Sequence, residues 1–247
     1  VRLALLLLPL LCAACSTAAY RTPGGPAPLA DIGRSEAQLL IAQPPSPRFP
    51  VRLSLVRVQA PAYQSFSGKA LGSGRYSVLP VPGLPDAQPL AAVASWPKVA
   101  AAAPLDLTLL PSRLESLEDL RLAAAKTQAD VLMVYTLDTA FARHGEPYAP
   151  RAELKLDPKS PPQDLVIQSQ ALALFIDVRT GYQYAQVQAR TQLGELTAAL
   201  ASAAALDDKR REAEQAAFAA LLQQAQQAWN GIASRYEYAQ LAPAGQP

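Results

Sequence analysis

The sequence predicts an α/β (α+β) domain, a mixed sheet of about four to six strands with a central helix and a long amphipathic C-terminal helix packed on it. Three observations carry this. Apolar and polar residues alternate strictly at the start of residues 51–58, which marks a strand. An apolar run at residues 130–137, directly after a capped helix, reads as a central strand covered on both faces. A stripe of Phe218, Leu221, Leu222, Ala225, Trp229, Ile232 and Tyr236, mostly at helical spacing, marks the closing helix.

In chain order, the folded domain is expected to begin at Val51. Val51, Leu53 and Leu55 share one strand face, with Arg52 and Ser54 on the other. A Gly/Ser-rich loop over residues 65–74 leads to a second short strand at 75–79. Prolines over residues 80–111 argue against a long regular element, leaving room for a helical turn or two between Asp86 and Ser95. Ser112-Arg113-Leu114-Glu115 is a capping-box pattern, and Ser116-Leu117-Glu118-Asp119 is a near-match one turn later. Either starts a helix that buries Leu117, Leu120 and Ala124 and turns Arg121 and Gln128 toward solvent. At Ala129 this helix hands over to the apolar strand. After an excursion at 138–164, a strand at 165–179 turns at Thr180-Gly181 into residues 182–192 as an antiparallel hairpin. From Asp207 the last helix packs across the sheet with Trp229 as a core anchor, and Lys209, Arg210, Glu214, Gln215 and Gln226 occupy its other faces.

Before the domain lies a different kind of sequence. Arg2 precedes a leucine-rich run from Leu3 to Leu11, too short to span a bilayer comfortably, and Cys12-Ala13-Ala14-Cys15 closes it. Small residues leading to a cysteine resemble the lipobox of bacterial lipoprotein precursors. The resemblance implies a signal peptide over residues 1–14, cleavage after Ala14 and a covalent lipid on Cys15 as the mature N-terminus. It places Ser16, rather than aspartate, after the lipidated cysteine, which implies sorting to the outer membrane with the domain facing the periplasm. Several acyl chains on one residue suffice for stable anchoring. Residues 15–50, with Pro23, Gly24, Gly25, Pro26, Pro28, Pro44, Pro45, Pro47 and Pro50, read as an extended or disordered tether, with a short helical turn around residues 35–41. At about 3.3 Å per residue such a tether would reach roughly 100 Å. The domain then covers residues 51–240, and 241–247 form a disordered tail.

Composition narrows the chemistry. The chain has 247 residues, is 50% hydrophobic and 17% charged, and carries a formal net charge of +2. The longest basic run, Lys209-Arg210-Arg211, is too short for a nucleic-acid footprint, so no nucleic-acid partner is expected. The one histidine, His144, sits in a Gly/Pro-rich stretch that gives a catalytic triad no rigid support. No His/Cys cluster has zinc spacing, and no Asp-rich calcium loop occurs. Carboxylate pairs such as Asp207-Asp208 and Glu118-Asp119 fall at helix starts, where the dipole favours them. Gly72-Ser73-Gly74 lacks the third glycine of a dinucleotide loop and leads into a strand, so it reads as a flexible connector. A non-enzyme without a cofactor, apart from the lipid on Cys15, is expected.

The order of helix, Ala129-Asp130-Val131-Leu132-Met133-Val134-Tyr135, excursion, Phe175-Ile176-Asp177-Val178-Arg179-Thr180-Gly181 and closing helix resembles the periplasmic α/β domain of bacterial envelope lipoproteins. Curli-secretion lipoproteins and penicillin-binding-protein activator lipoproteins are of this type, and the chain looks closer still to uncharacterised lipoproteins of the same kind. These pieces encode the start of a strand and a hairpin turn, so the resemblance implies fold and compartment more than mechanism. A pore subunit of the curli-secretion type is disfavoured. A membrane strand needs about nine to eleven residues with one apolar face, and residues 151–157 alternate only briefly before proline ends them. The expected function is therefore a non-enzymatic, membrane-anchored lipoprotein that binds an envelope protein and assists envelope assembly or maintenance. A secretion-pore subunit and an envelope hydrolase are the alternatives, and oligomeric state is left open. The candidate partner contacts are Tyr63 and Phe66 by the Gly/Ser-rich loop and Arg179, Tyr182, Tyr184 and Arg190 on the hairpin, because tyrosine and arginine are favoured at interface centres.

Overall fold

The computed structural model describes residues 19–32, 45, 48–61, 63–65, 68–80, 88–143, 146–147, 153–155, 165–194, 196 and 202–241. Its strands are β1 (Ala19–Arg21), β2 (Val51–Gln59), β3 (Ser73–Gly74), β4 (Ser77–Leu79), β5 (Val99–Pro104), β6 (Arg113–Leu114), β7 (Val131–Arg143), β8 (Glu146–Pro147), β9 (Glu153–Lys155), β10 (Leu165–Asp177) and β11 (Gln183–Leu193). The helices are α1 (Leu29–Ile32), α2 (Gln88–Ala94), α3 (Leu117–Lys126) and α4 (Ala203–Leu241). Among the described residues no helix is long and apolar enough to cross a membrane.

The α+β architecture is the one the sequence predicts. A mixed sheet runs β11-β10-β7-β2-β4, with β5 also on β2 and β8 on β7. β2 lies parallel to β5 and β7, and its other pairings are antiparallel. β7 and β10 stay in register from Arg143↔Leu165 to Val131↔Asp177, and β11 extends this ladder to the edge. Helices cover both faces. Val51, Leu53, Leu55, Met133, Tyr135 and Phe175 pack under α2 and α4, while Val56, Val58, Leu132, Val134 and Ile176 pack under α1 and α3.

Local chemistry explains the strand starts and turns. Ser116 caps α3, and the Asp119 carboxylate accepts the Ser116 and Glu115 backbone N–H groups at 3.0 and 2.8 Å, so the second capping pattern is the operative one. The Asp130 carboxylate accepts the Arg52 N–H at 2.9 Å and ties the start of β7 to β2. Asp177 accepts the N–H groups of Arg179 and Thr180, and Gly181 takes φ 75° to close the hairpin. On the α4 side, Trp229 is buried beside Trp96 and Phe175, and its Nε1–H donates to the Pro97 carbonyl at 2.8 Å.

Several expectations are corrected. β2 is a central strand between β7 and β4 with β5, and the layers packed on both faces bury Ser54 as well as Leu53 and Leu55 and leave only Arg52 exposed along it. β5 falls inside the proline-punctuated stretch; alanine neither alternates nor favours strands, and the segment is extended because it completes the open edge of β2. β7 runs six residues past Leu137, carried by its pairing with β10. The second strand starts at Ser77 instead of Arg75. Arg121 does not face solvent, since its guanidinium donates to the carbonyls of Val178 and Arg179. Gly74 is a close approach instead of a flexible connector: it takes φ 108°, and a Cβ there would strike the Leu114 backbone across the β3–β6 pair.

The largest correction concerns the tether. Residues 19–32 belong to the folded body. β1 pairs with β9, the Ala27 N–H donates to Thr136 Oγ1 at 2.9 Å, and Tyr20, Ala27, Leu29 and Ile32 are buried. The prolines prevent helix over residues 22–28 but suit an extended strip whose apolar residues fill the sheet's flank. The expected turn around residues 35–41 and the tail 242–247 lie outside the described residues.

Candidate functional site

The densest group of ionisable side chains lies under the first half of α4. Asp207, Arg210 and Glu214 fall on one helix face at spacings of three and four. This face meets Arg57, which shares a strand face with Leu53 and Leu55. Arg57 Nη2 donates to Glu214 Oε2 at 2.9 Å, and Arg210 Nη1 donates to Glu214 Oε1. Arg210 Nε reaches Asp207 Oδ1 at 2.9 Å and the Tyr20 hydroxyl at 3.0 Å, and Tyr20 itself donates to Asp207 at 2.9 Å. Both arginines also donate to the Tyr63 hydroxyl, over whose ring the Arg57 guanidinium sits at 5.5 Å. All six side chains are buried.

The electrostatics hold this group closed. Two arginines face two carboxylates, so the charges balance. For Arg210, burial works against the charge, but the Glu214 carboxylate and the Asp207 hydrogen bond outweigh it and raise its pKa. Burial raises the Tyr20 and Tyr63 phenols, with Asp207 and Glu214 adding to it against the arginines. Burial likewise raises Tyr135, whose ring stacks on Phe218 at 4.6 Å. Arginine does not give up its proton and these phenols keep theirs, so the cluster braces the fold and is poorly suited to proton transfer.

The expected partner contacts separate into three places. Tyr63, read as exposed, is 3% exposed and belongs to the buried cluster, because the loop after β2 folds back over Arg57. Tyr182 and Tyr184 are half-buried and pack hairpin to helix: Tyr184 and Tyr236 meet edge-on at 5.1 Å, and the Tyr184 hydroxyl donates to Asp177 at 2.6 Å. Arg179 is exposed beside them at the hairpin turn. Arg190 lies eight residues beyond Tyr182, roughly 26 Å along β11, on an open concave surface of about 400 Å³ lined by Asp138, Gln168, Gln170 and Gln192. Its Nε donates to Gln170 Oε1 at 3.1 Å. Phe66, Cys15 and His144 lie outside the described residues.

The surface around Arg190 forms where β7, β10 and β11 run past the end of α3, so the same sheet face changes from Leu132, Val134 and Leu174 to amides and charges. Such a surface offers hydrogen-bond donors and acceptors to a peptide backbone or polar side chains. Among the described residues no group of three or more His, Cys, Asp or Glu side chains is placed to hold a metal ion. The buried cluster was legible in principle. Extending the stripe from Phe218 back through Ala217, Glu214 and Arg210 places both charges on the buried face, against the expectation that they occupy other faces.

Fold and surfaces together define a mixed-sheet α+β domain with a buried charged cluster under α4 and an open polar surface at Arg190. No protein-family model matches the chain, and no curated protein matches it at a significant level.

Proposed function

We propose that the chain is an outer-membrane lipoprotein, anchored through a lipid on Cys15, whose domain binds another envelope protein and assists envelope assembly or maintenance without catalysis. The observation that carries this reading is the leucine-rich run closing on Ala13-Ala14-Cys15. The concave surface at Arg190 supports the binding role, with Asp138, Gln170 and Arg190 as its polar contacts. Hairpin β10–β11 has its apolar face under α4, where Ala171, Ala173 and Phe175 pack, which favours a binding domain over a pore subunit. Cys15→Ala should leave the membrane fraction, and globomycin should block processing of the wild type. A Cys15→Ala variant that stays membrane-bound would overturn the reading.

A further inference from the structure

We propose that the domain does not hang from a long tether but is clasped to the bilayer in one orientation, with the β1 end against the membrane and the Asp177–Gly181 turn pointing away. This inference rests on lipidation of Cys15. Its structural basis is that the chain is fixed to the body almost at once after that residue. Tyr20 is fully buried, its ring meets Phe141 edge-on at 5.9 Å, and its hydroxyl sits between Asp207 and Arg210. The clasp continues downstream. The Ala60 N–H donates to the Gly25 carbonyl, the Gln64 N–H to that of Pro23, and the Gln59 amide to that of Gly25.

Covalent geometry then limits the anchor. From Cys15 to Ala19 is four residue steps, which cannot span more than about 15 Å whatever their conformation. A bilayer holding the Cys15 acyl chains therefore lies close to β1, where β7 ends, β10 begins and the first turns of α4 lie. The hairpin turn is at the other end of β10, twelve residues away and roughly 40 Å distant. A flexible tether running to Pro50 would impose no such order, because the whole domain would tumble within a reach of roughly 100 Å. In the clasped arrangement the Arg190 surface stands side-on and nearer the membrane than Arg179, so a partner using it must itself sit near the membrane.

The test uses the lipidated full chain in vesicles of phosphatidylethanolamine and phosphatidylglycerol that carry an acceptor dye on the lipid headgroup. The two native cysteines are Cys12, in the segment removed on processing, and Cys15, whose thiol the lipid blocks. A single introduced thiol thus takes all the donor label. Asp208→Cys, exposed in the first turns of α4, reports the near end, and Arg179→Cys reports the far end. Transfer from position 208 should exceed that from position 179 by at least about threefold, given ends roughly 40 Å apart. Inserting about twenty Gly/Ser residues between Thr17 and Ala18 should equalise the two probes with no change in thermal unfolding. Equal transfer in the uninserted protein, or a gradient that survives the insertion, overturns the clasp. Mass spectrometry of the Cys15 peptide separates the two failures. A lipidated peptide with equal transfer sinks the clasp alone, and an unmodified Cys15 sinks the anchor reading and the clasp with it.

Discussion

Helix α4 rests on the sheet through two unlike halves. Its later turns present Phe218, Leu221, Ala225, Trp229 and Ile232 to an apolar layer that includes Met133, Tyr135, Ala173 and Phe175. The earlier turns present Asp207, Arg210 and Glu214 to Arg57, Tyr20 and Tyr63. The apolar half is held by burial that is largely indifferent to direction, so it fixes the helix to the sheet but selects few particular partners. The charged half gains little over an apolar packing of equal volume, because desolvation offsets most of the attraction. What it adds is geometry. Arg57 Nη2 and the Arg210 guanidinium find oxygens on Glu214, Asp207, Tyr20 and Tyr63, and the β1 segment and the loop carrying Tyr63 bring the two hydroxyls.

The sharpest way to separate the halves is to remove one charge. Glu214→Ala leaves Arg57 and Arg210 facing each other without their shared carboxylate, and should cost about 3 to 5 kcal/mol in urea unfolding followed by tryptophan fluorescence. A loss below about 1 kcal/mol would show that water replaces the carboxylate. The polar half would then be no more specific than the apolar one.

Legibility in the sequence divides along a similar line. Elements set by periodicity were readable: β2, β7, the β10–β11 hairpin and α4 all follow from apolar spacing, and Ser116 with Asp119 marked the start of α3. What escaped depends on tertiary partners. The alanines of β5 are extended only because β2 offers an open edge. Tyr20 lies in a proline-rich segment and gains its role from Asp207, which is 187 residues away. Tyr63 looked like a loop aromatic because nothing local reveals that Arg57 and Arg210 converge on it. Among the contact candidates, Arg190 could be placed from the alternation of β11, but its concave surroundings come from the length by which three strands outrun α3.

Alkaline pH sharpens the comparison next. The Tyr20 and Tyr63 phenols are raised by burial, reinforced by Asp207 and Glu214, above the value near 10 they have in an unfolded chain. Below pH 10 both states are protonated and the contribution is fully present. Above it the unfolded chain ionises while the folded Tyr20 does not, so stability falls by roughly 1.4 kcal/mol per pH unit through Tyr20, and Tyr63 adds to the fall in the same direction. Other buried tyrosines, Tyr76, Tyr135 and Tyr184 among them, are raised as well and form a background common to both proteins. Between pH 9 and pH 11, a Tyr20→Phe variant should therefore lose about 1 kcal/mol less than the wild type in matched urea unfolding, and adding Tyr63→Phe should widen the difference in the same direction. Identical losses would mean that these phenols ionise in place, and that the polar half opens to solvent without unfolding.

The smallest effect tests how abruptly the polar half ends. Arg211 follows Arg210 directly, but one helical step turns it to the surface, where its side chain is 46% exposed. There it pairs with Asp208 and lies 4.0 Å from Asp207 Oδ2. An exposed pair of this kind is worth little, because water and salt screen the attraction and both long side chains lose freedom. Arg211→Ala should change stability by less than about 0.5 kcal/mol, and raising salt to about 0.5 M should abolish even that difference. Arg210→Ala removes the donor shared by Asp207, Glu214, Tyr20 and Tyr63, and it should cost several times more with little response to salt. Comparable losses for the two neighbours would mean that the network reaches the surface through Asp207. The clasp on β1 would then depend on the ionic strength around it.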